Sequence, residues 1–421
     1  MSDLLKKRAF SMLKKADTQL IKLLNEIQLL NLIRDEGPIS RIELSRRTEM
    51  SKVAVFDIIN RLIDAGFVVD IGKGQSTSKG GKKPSLVKLN PGNHFVIGIE
   101  LKRTEVRIAV ADIEATIMDK TRMAFEVGEN PEKVIKKIFR KIDNLLHKNG
   151  IAEEKLVSIG IGIPGLVNYQ DERLRFADTL KDWDKISIGQ YFEKRYKVPA
   201  IIENDVNTIT IGESILGAAK EYADIVTIWI GEGLGSGIII RNQLFQGLSG
   251  GAGEIGYLEI DSYCNPRQLH YLFNGQKYFG DVLANRNLKE SLLPHIKAPQ
   301  NRPKEDLTLR QMIKIAEYTS GECQEVLKEY TSLLEILIMN VVKVLNPQVI
   351  VLSGKIFDYS KYIYKTLKQC VEDSTTHLPY LSAHIVKGKL RDEAGLRGAI
   401  AMALEIIFEA KMSNHSISGF K

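Results

Sequence analysis

The sequence is poor in cysteine, with only three in 421 residues: Cys264, Cys323 and Cys370. These residues lie far apart and form no Cys-x-x-Cys pair, which argues against a disulfide framework and against a cysteine-rich zinc site. We therefore expect a protein of a reducing compartment.

Long apolar runs are also absent. No stretch approaches the roughly 20 apolar residues of a membrane-spanning helix, and the first thirty residues lack the apolar core and cleavage site of a signal peptide. Hydrophobic residues make up 44% and charged residues 26% of the chain, as in an ordinary soluble globular protein. We expect a cytoplasmic protein of two or three domains without a membrane partner.

Net charge is missing from most of the chain. Residues 1–90 hold 17 Lys and Arg against 10 Asp and Glu, a net charge of +7 that equals the net charge of the whole chain. The remaining residues hold 42 of each sign. A basic segment on a neutral body is typical of a separate module that binds a polyanion.

This basic segment also carries the apolar periodicity that a solvated tail would lack. Apolar residues recur at three- and four-residue steps over 20–33 and predict an amphipathic helix. Ser40 and Ser51 precede two further helical patterns as capping residues. Strand-like runs at 67–71 and 86–89 enclose a lysine-rich segment. The order predicts a winged helix-turn-helix whose third helix enters the major groove of DNA.

The candidate DNA contacts are the starts of the two capped helices and the lysines of the wing. They are Ser40, Arg41, Ser51, Lys52, Ala54, Lys73, Lys79, Lys82 and Lys83. Ala54, Phe56 and Asp57 are unusual on a recognition face, where polar or basic side chains commonly reach bases and phosphates. For Asp57 the alternatives are a cytosine amino group, an ion pair with Arg61 one turn on, or solvent. For the whole module the alternative is a helical adaptor that binds no DNA.

From about residue 95 the pattern changes to strands and helices in alternation. Three strand-like runs, a helix and a buried strand occupy 95–162, and a second unit of similar pattern occupies 225–354. Two such units predict two α/β lobes with a ligand-binding cleft between them.

Several glycine-rich and acidic motifs follow one another in this part of the chain. They are Gly162-Ile163-Pro164-Gly165, Glu203-Asn204-Asp205-Val206-Asn207, the runs 231–237 and 250–256, and Asp392-Glu393-Ala394-Gly395-Leu396-Arg397-Gly398. In combination they resemble the motifs of the ROK family, which joins bacterial repressors, open reading frames and sugar kinases on an actin-like, ribonuclease-H-like fold of two lobes. The resemblance covers residues 20 to 410 or so. The winged helix-turn-helix matches the repressor branch, similar to the xylose and N-acetylglucosamine operon repressors.

The resemblance implies a sugar site. In a kinase of this family, an aspartate in an Asn-Asp context takes the proton from the attacking sugar hydroxyl, and Asp205 occupies that position. Carboxylates and amides also suit the binding of vicinal hydroxyls without catalysis. The candidate ligand-binding residues are Gly165, Glu203, Asn204, Asp205, Glu254 and Tyr257. The alternative for the Asn204-Asp205 pair is the N-cap of a helix.

The phosphate-binding motifs depart from those of the family's kinases. Residues 100–104 read Glu-Leu-Lys-Arg-Thr where an Asp-x-Gly-Gly-Thr turn is expected, so two bulky cations replace glycines. Glu232 stands in the run 231–237 where a small hydroxyl residue is usual, and its charge would repel phosphate. Ser353-Gly354-Lys355 replaces an adenosine-contacting Gly-Gly. We therefore predict no ATP binding, no phosphoryl transfer and no cofactor.

The family's zinc motif is also incomplete. Members often use a histidine after Gly-Glu-Ile-Gly together with a cysteine-dense loop, but here Tyr257 replaces the histidine and Cys264 is the one cysteine that follows. With His270 it makes two ligands, which do not fill a tetrahedral zinc site, so we predict no bound metal. The altered loop also lacks a glutamate of the family's sugar site, and Gln268 or His270 is the candidate substitute.

The domain prediction follows from these segments. Residues 1–90 form the winged helix-turn-helix, 91–215 the first α/β lobe and 216–421 the second, with the C-terminal helix returning to the first lobe. We predict a sugar-responsive repressor of carbohydrate-utilisation genes, not an enzyme, whose effector sugar binds in the cleft. We expect a homodimer, or a higher oligomer, on palindromic operator DNA.

Two alternatives belong to other functional classes. One is a sugar kinase that phosphorylates a hexose through Asp205 and carries a fused DNA-binding module. The other is a ligand-independent regulator whose body only dimerises or binds a phosphotransferase protein.

Overall fold

The computed structural model describes residues 3–73, 84–168, 173–176, 180–262, 269–272, 275–297, 303–378 and 383–408. The α-helices are α1 Asp3–Glu36, α2 Arg41–Thr48, α3 Lys52–Asp64, α4 Pro131–Lys148, α5 Ile188–Tyr196, α6 Asp205–Ile215, α7 Phe279–Val282, α8 Asn285–Leu292, α9 Leu309–Tyr318, α10 Glu322–Leu345, α11 Ile356–Tyr359, α12 Lys361–His377 and α13 Ala394–Phe408. The strands are β1 Ile39–Ser40, β2 Val68–Lys73, β3 Ser85–Leu89, β4 Phe95–Leu101, β5 Glu105–Asp112, β6 Ile117–Ala124, β7 Leu156–Ile163, β8 Leu166–Asn168, β9 Arg173–Phe176, β10 Ala200–Asn204, β11 Ile225–Ile230, β12 Leu234–Ile240, β13 Gln243–Leu244, β14 Val349–Ser353 and β15 His384–Lys387.

The N-terminal module is a winged helix-turn-helix, as the sequence predicts. Helices α1, α2 and α3 bury the apolar side chains that recur at helical steps, among them Leu30, Leu44 and Leu62. The chain turns between α2 and α3 at Glu49, whose φ is 59°. The strand order is β1-β3-β2, and β2 pairs with β3 in antiparallel register to form the base of the wing. Strand β1 was not predicted, because it is only two residues long and exists through its pairing with β3.

The chain forms two compact units, each made of separate segments. The first comprises Met1–Ile161, Leu180–Ile202 and Ala399–Lys421, and the second comprises Gly162–Thr179 and Glu203–Gly398. The two units are defined by which residues contact one another, so neither unit is one continuous segment of the chain. The predicted domain limits at residues 90 and 215 stay predictions.

Two sheets share one pattern of strand order. The first runs β10-β7-β4-β5-β6 and the second runs β13-β12-β11-β14-β15. Each begins along the chain with an antiparallel meander of three strands, and in the second sheet β14 and β15 then add in parallel beside β11. Every residue of β4 and β7 is buried, which accounts for their largely apolar sequences, interrupted only by Glu100 in β4 and Ser158 in β7. The alternation of strands and helices predicted from the sequence is confirmed.

Helix α6 places the central acidic motif. It starts immediately after β10 and packs against β11 and β12. Its residues from Val206 to Glu213 are all buried. The helix is therefore fixed along its length, and its N-terminal residue Asp205 has a defined position within the second unit.

Candidate functional site

The turn before α6 is held by the side chain of Asn204. Its Oδ1 accepts hydrogen bonds from the backbone N–H groups of Val206 at 2.8 Å and Asn207 at 3.1 Å, so Asn204 is the N-cap that the sequence offered as an alternative. Its Nδ2 donates to the carbonyl oxygen of Gly165 at 3.0 Å. The structure thus brings Gly165 beside the Asn-Asp motif, while contact of either residue with a ligand stays a prediction.

Glu203 is a buried carboxylate, 3% exposed, that ties this turn to a second loop. Its Oε1 accepts from the backbone N–H of Asn204 at 2.7 Å and from Nδ2 of Asn207 at 3.0 Å. Its Oε2 accepts from Nε2 of Gln246 at 2.9 Å. These contacts give Glu203 a positioning role, and its predicted contact with a ligand stays untested.

Gln246 contacts the candidate site, and the sequence pattern did not predict this. Besides the side-chain bond to Glu203, the backbone carbonyl oxygen of Gln246 accepts from the backbone N–H of Ala252 at 3.1 Å. Gln246 therefore connects the turn before α6, through its side chain, with the loop that carries Glu254, through its backbone. A single glutamine ahead of a glycine-rich run gave little sequence signal for this role.

Glu254 and Tyr257 lie on a loop that is fixed to β12. The carbonyl oxygen of Gly253 accepts from the backbone N–H of Ser236 at 3.1 Å and from its Oγ at 2.8 Å. Glu254 and Asp205 are both half-buried, and Tyr257 is 53% exposed. The ring of Tyr257 stands edge-on to that of Tyr278, with centroids 5.8 Å apart. The second unit thus gathers two partly accessible carboxylates and an aromatic ring on a fixed scaffold.

The glycine run 231–237 forms the hairpin between β11 and β12. The backbone N–H of Gly231 donates to the carbonyl oxygen of Gly233 at 2.9 Å, and the two strands pair from Ile230 with Leu234 onwards. Glu232 lies exposed at the tip. The run therefore has a structural explanation as a tight turn, without any phosphate.

The turn at residues 100–104, in the first unit, is filled by charged side chains. Glu100 is 6% exposed, and its carboxylate lies 3.3 Å from Nζ of Lys102 and 3.6 Å from Nη1 of Arg107. Burial raises the pKa of Glu100, and the two neighbouring cations act in the opposite direction. A cation at position 102 thus pairs with the buried acid where the family's kinases have glycine.

The predicted caps of α2 and α3 are present. Oγ of Ser40 accepts from the backbone N–H of Glu43 at 3.1 Å, and Oγ of Ser51 accepts from that of Ala54 at 3.2 Å. Lys52 is exposed at the start of α3, and Ala54 is half-buried. Contact of these residues with DNA stays a prediction.

Arg41 makes contacts within the module. Its Nη2 lies 3.5 Å from Oδ2 of Asp70, and its guanidinium lies 4.8 Å from the ring centroid of Phe56. Asp70 also accepts from Oγ of Ser85 and from the backbone N–H of Gly72, and these hydrogen bonds lower its pKa. Arg41 therefore links the start of α2 to α3 and to the base of the wing.

The proposed ion pair between Asp57 and Arg61 is wrong. Arg61 instead lies 3.0 Å from the buried carboxylate of Glu26 on α1, because α1 packs against α3. The two residues are 35 positions apart, so the sequence pattern did not predict this pair. Asp57 is exposed, in agreement with the solvent alternative.

Some predicted residues lie outside the described residues. These are Lys79, Lys82 and Lys83 of the wing together with Cys264 and Gln268, and the side chain of Lys73 is likewise not described. Within the described ranges, no group of three or more His, Cys, Asp or Glu side chains could hold a metal ion. His270 is exposed, and its backbone N–H donates to Glu329 at 2.9 Å. None of the described helices has the length and apolar character needed to cross a membrane.

Comparisons with known proteins agree with this architecture. A family model described as the ROK family matches residues 96–406, and one described as winged helix-turn-helix DNA-binding matches residues 23–69. The chain is 26% identical over 390 residues to the xylose repressor of Caldicellulosiruptor bescii, and this match covers 91% of this chain and 96% of that protein. It is 23% identical over 407 residues to the N-acetylglucosamine repressor of Escherichia coli O157:H7, and that match covers 95% of this chain and 97% of the relative.

A solved structure shares this fold over most of the chain. It is the crystal structure of a ROK family transcriptional regulator, a homologue of the Escherichia coli Mlc protein, with a TM-score of 0.76 and 20% sequence identity. The match covers 91% of this chain and 96% of that one. The predicted combination of an N-terminal winged helix-turn-helix with an α/β fold like that of sugar kinases is confirmed.

Proposed function

The chain belongs to the ROK family, and we propose that it is a sugar-responsive repressor of carbohydrate-utilisation genes. The observation that carries the proposal is the union, in one chain, of a winged helix-turn-helix with a ROK domain. Two relatives that match along more than nine tenths of their length are named xylose repressor and N-acetylglucosamine repressor. The charge distribution supports DNA as the partner, because the module at residues 1–90 carries the net positive charge.

The proposed sugar site lies in the second unit, around the start of α6. Asp205, Glu254 and Tyr257 supply the polar groups that bind sugar hydroxyls and a ring surface that packs against a sugar face. Glu203 and Asn204 belong to the same site and are held by the contacts described above. Gln246 joins the two loops, so a change in the position of one loop on sugar binding is transmitted to the other.

A kinase that retained activity through Asp205 is the competing function. The turn at residues 100–104 weighs against it, because Lys102 and Arg103 replace the glycines whose backbone approaches phosphate. The exposed Glu232 adds a negative charge at the second glycine turn. We propose that the protein is not an enzyme and uses no nucleotide cofactor.

The proposed response is a shift between two states. A sugar that binds one state more tightly than the other changes the affinity for operator DNA without any chemical step. A homodimer on a palindromic operator fits the usual match between protein and operator symmetry, and a higher oligomer is the other form to consider. Sedimentation of the purified protein with and without operator DNA distinguishes a homodimer from a higher oligomer.

A thermal-shift screen of the full chain against monosaccharides and disaccharides, each with and without MgATP, tests the function. A ligand at one hundred times its dissociation constant stabilises the folded state by about 2.7 kcal/mol. We expect a shift with one sugar and none with MgATP, followed by a changed affinity for DNA. A shift with MgATP and formation of a sugar phosphate would establish the kinase instead.

Two matched variants separate sugar sensing from ligand-independent regulation. Asp205→Ala removes a carboxylate of the proposed site, whereas Asp373→Ala removes an exposed carboxylate on α12, which carries none of the candidate site residues. We expect only the first to abolish the sugar-dependent change in DNA affinity. If both variants respond like the parent protein, the body acts without a sugar at this site.

A further inference from the structure

The recognition helix α3 presents an apolar surface to the outside of the module. Val53 is 72% exposed and Phe56 is 51% exposed. On the opposite side of the same helix Val55, Ile58 and Ile59 are buried. Positions 53 and 56 are three residues apart, so their side chains are neighbours on one helix face. Helix packing within the module therefore leaves this pair uncovered.

The ring of Phe56 is held in place from one side. The guanidinium of Arg41 lies 4.8 Å from the ring centroid, and Arg41 is in turn held near Asp70. Oγ of Ser85 donates to Asp70 at 2.6 Å. A side chain fixed in this way loses little conformational freedom on binding, so the contact it makes stabilises a complex more.

The position of the pair selects its partner. In a helix-turn-helix, residues near the N-terminus of the second helix contact base edges in the major groove, and Val53 and Phe56 lie in the first five residues of α3. The surrounding module has a net charge of +7, which is complementary to the phosphate backbone. The apolar group that the major groove offers is the 5-methyl of thymine.

We propose that Val53 and Phe56 read thymine 5-methyl groups, and that the operator carries thymines at the positions facing this pair. The inference rests on the proposed repressor function and adds the chemical basis of its base selection. Lys52, beside them at the helix start, is placed to contact phosphate. In this proposal the two apolar side chains supply base selection, and Lys52 supplies a cation for the DNA backbone.

The test removes the methyl groups and leaves the hydrogen-bonding edges of the bases unchanged. An operator is first selected from random duplex DNA with the full-length protein, and each thymine is then replaced singly by deoxyuridine. We expect two or more positions per half-site at which the replacement weakens binding by about fourfold, as for the loss of one buried methyl group. The remaining replacements should have no effect.

The variants Val53→Ala and Phe56→Leu assign those positions to the side chains. Each variant should bind the parent operator more weakly and should lose its sensitivity to deoxyuridine at one set of positions, while its affinity for unrelated duplex DNA is unchanged. Val344→Ala, which truncates a valine on α10 that is 78% exposed, is the control and should behave as the parent. Circular dichroism melts confirm that each variant is folded.

The outcomes are distinguishable. If the protein selects no operator at all, the repressor function fails. If it selects one but binding is insensitive to every deoxyuridine replacement, or if the variants retain the parent's sensitivity, the reading of methyl groups is overturned while the function stands. Weaker operator binding by both variants, without any dependence on thymine methyl groups, would show that the pair supports DNA binding in another way and would also contradict the proposal.

Discussion

At the scale of single residues, buried carboxylates in this protein organise loops. Glu203 accepts from a backbone N–H and two side-chain amides. Glu213 accepts from the backbone N–H groups of Ala218, Lys389 and Leu390 at 2.8 to 3.0 Å. Both are fully or nearly fully buried, and a buried carboxylate requires such partners. The presence of an acidic residue in a motif therefore does not by itself show that its carboxylate contacts a ligand.

The loop of Glu254 depends on a glycine at position 253. Gly253 has φ of 89°, and a Cβ built on it would lie 2.2 Å from the carbonyl oxygen of Ser236. Gly253→Ala should lower the free energy of unfolding by about 1–3 kcal/mol, because it adds overpacking to backbone strain. Urea denaturation measures this difference.

Gly275 is the matched control for that substitution. Its φ is 77°, but a Cβ there would meet nothing within 4 Å. Gly275→Ala reports the cost of the backbone conformation alone and should destabilise the protein less than Gly253→Ala. Equal losses would mean that the contact with Ser236 contributes nothing.

Glu100 should give the protein a pH-dependent stability. Burial raises its folded pKa above the ordinary value of 4.5, so the folded state binds the proton more tightly than the unfolded state. The stabilising contribution of the protonated form is complete below pH 4.5 and is lost as the pH rises through the folded pKa. The free energy of unfolding of the parent minus that of Glu100→Gln should therefore fall with rising pH from about 4.5.

Chemical denaturation of both proteins between pH 4 and 8 measures that difference, and subtraction removes the contributions of other titrating groups. A difference that rises with pH would show that the ion pairs with Lys102 and Arg107 outweigh burial.

At the scale of elements, helix α13 crosses α6 at a point made of small residues. A Cβ on Gly398 would lie 1.9 Å from the carbonyl oxygen of Thr208, and a Cβ on Gly212 would lie 2.9 Å from Cα of Gly398. The other end of α13 is tied to the first helix of the DNA-binding module, where Nδ2 of Asn31 donates to the carbonyl oxygen of Phe408 at 2.7 Å.

Alanine at the crossing should destabilise the protein. Replacing a glycine inside an exposed helix by alanine normally stabilises by about 0.5–1 kcal/mol, but Gly212→Ala and Gly398→Ala should each cost about 1–3 kcal/mol because the backbones are in contact. A double-mutant cycle by urea denaturation should show a coupling of about 0.5–3 kcal/mol. Additive effects would mean that the two helices do not share a contact at these glycines.

At the scale of the whole molecule, the net charge and the proposed sugar site lie in different parts of the chain. The net positive charge lies in residues 1–90 and the remainder is neutral. We therefore expect DNA binding to depend on salt through the module, whereas the proposed sugar site lies in the second unit and carries carboxylates. Salt should weaken DNA binding strongly and sugar binding little.

Lys52 should contribute one counterion to this dependence. For Lys52→Ala, the slope of the logarithm of DNA affinity against the logarithm of salt concentration should fall in magnitude by about 1. Lys314→Ala, an exposed lysine on α9, should leave the slope unchanged. Fluorescence anisotropy with operator DNA at several salt concentrations gives both values, and an unchanged slope for Lys52→Ala would place that side chain away from phosphate.

The sequence by itself determined the local and periodic features of this protein. The caps at Ser40 and Ser51, the apolar runs of β4 and β7 and the end of α1 at Glu36 depend on neighbours a few residues away, so they can be read from the chain. Its family motifs also sufficed to predict the fold.

The tertiary structure decided the features that depend on residues far apart in sequence. Arg61 pairs with Glu26, 35 residues earlier, and not with Asp57, and Gln246 joins Glu203 across 43 residues. The chain also passes between its two compact units several times. The reason is that a polar side chain takes whichever partner the packing of helices and strands brings close, and sequence spacing does not record that distance.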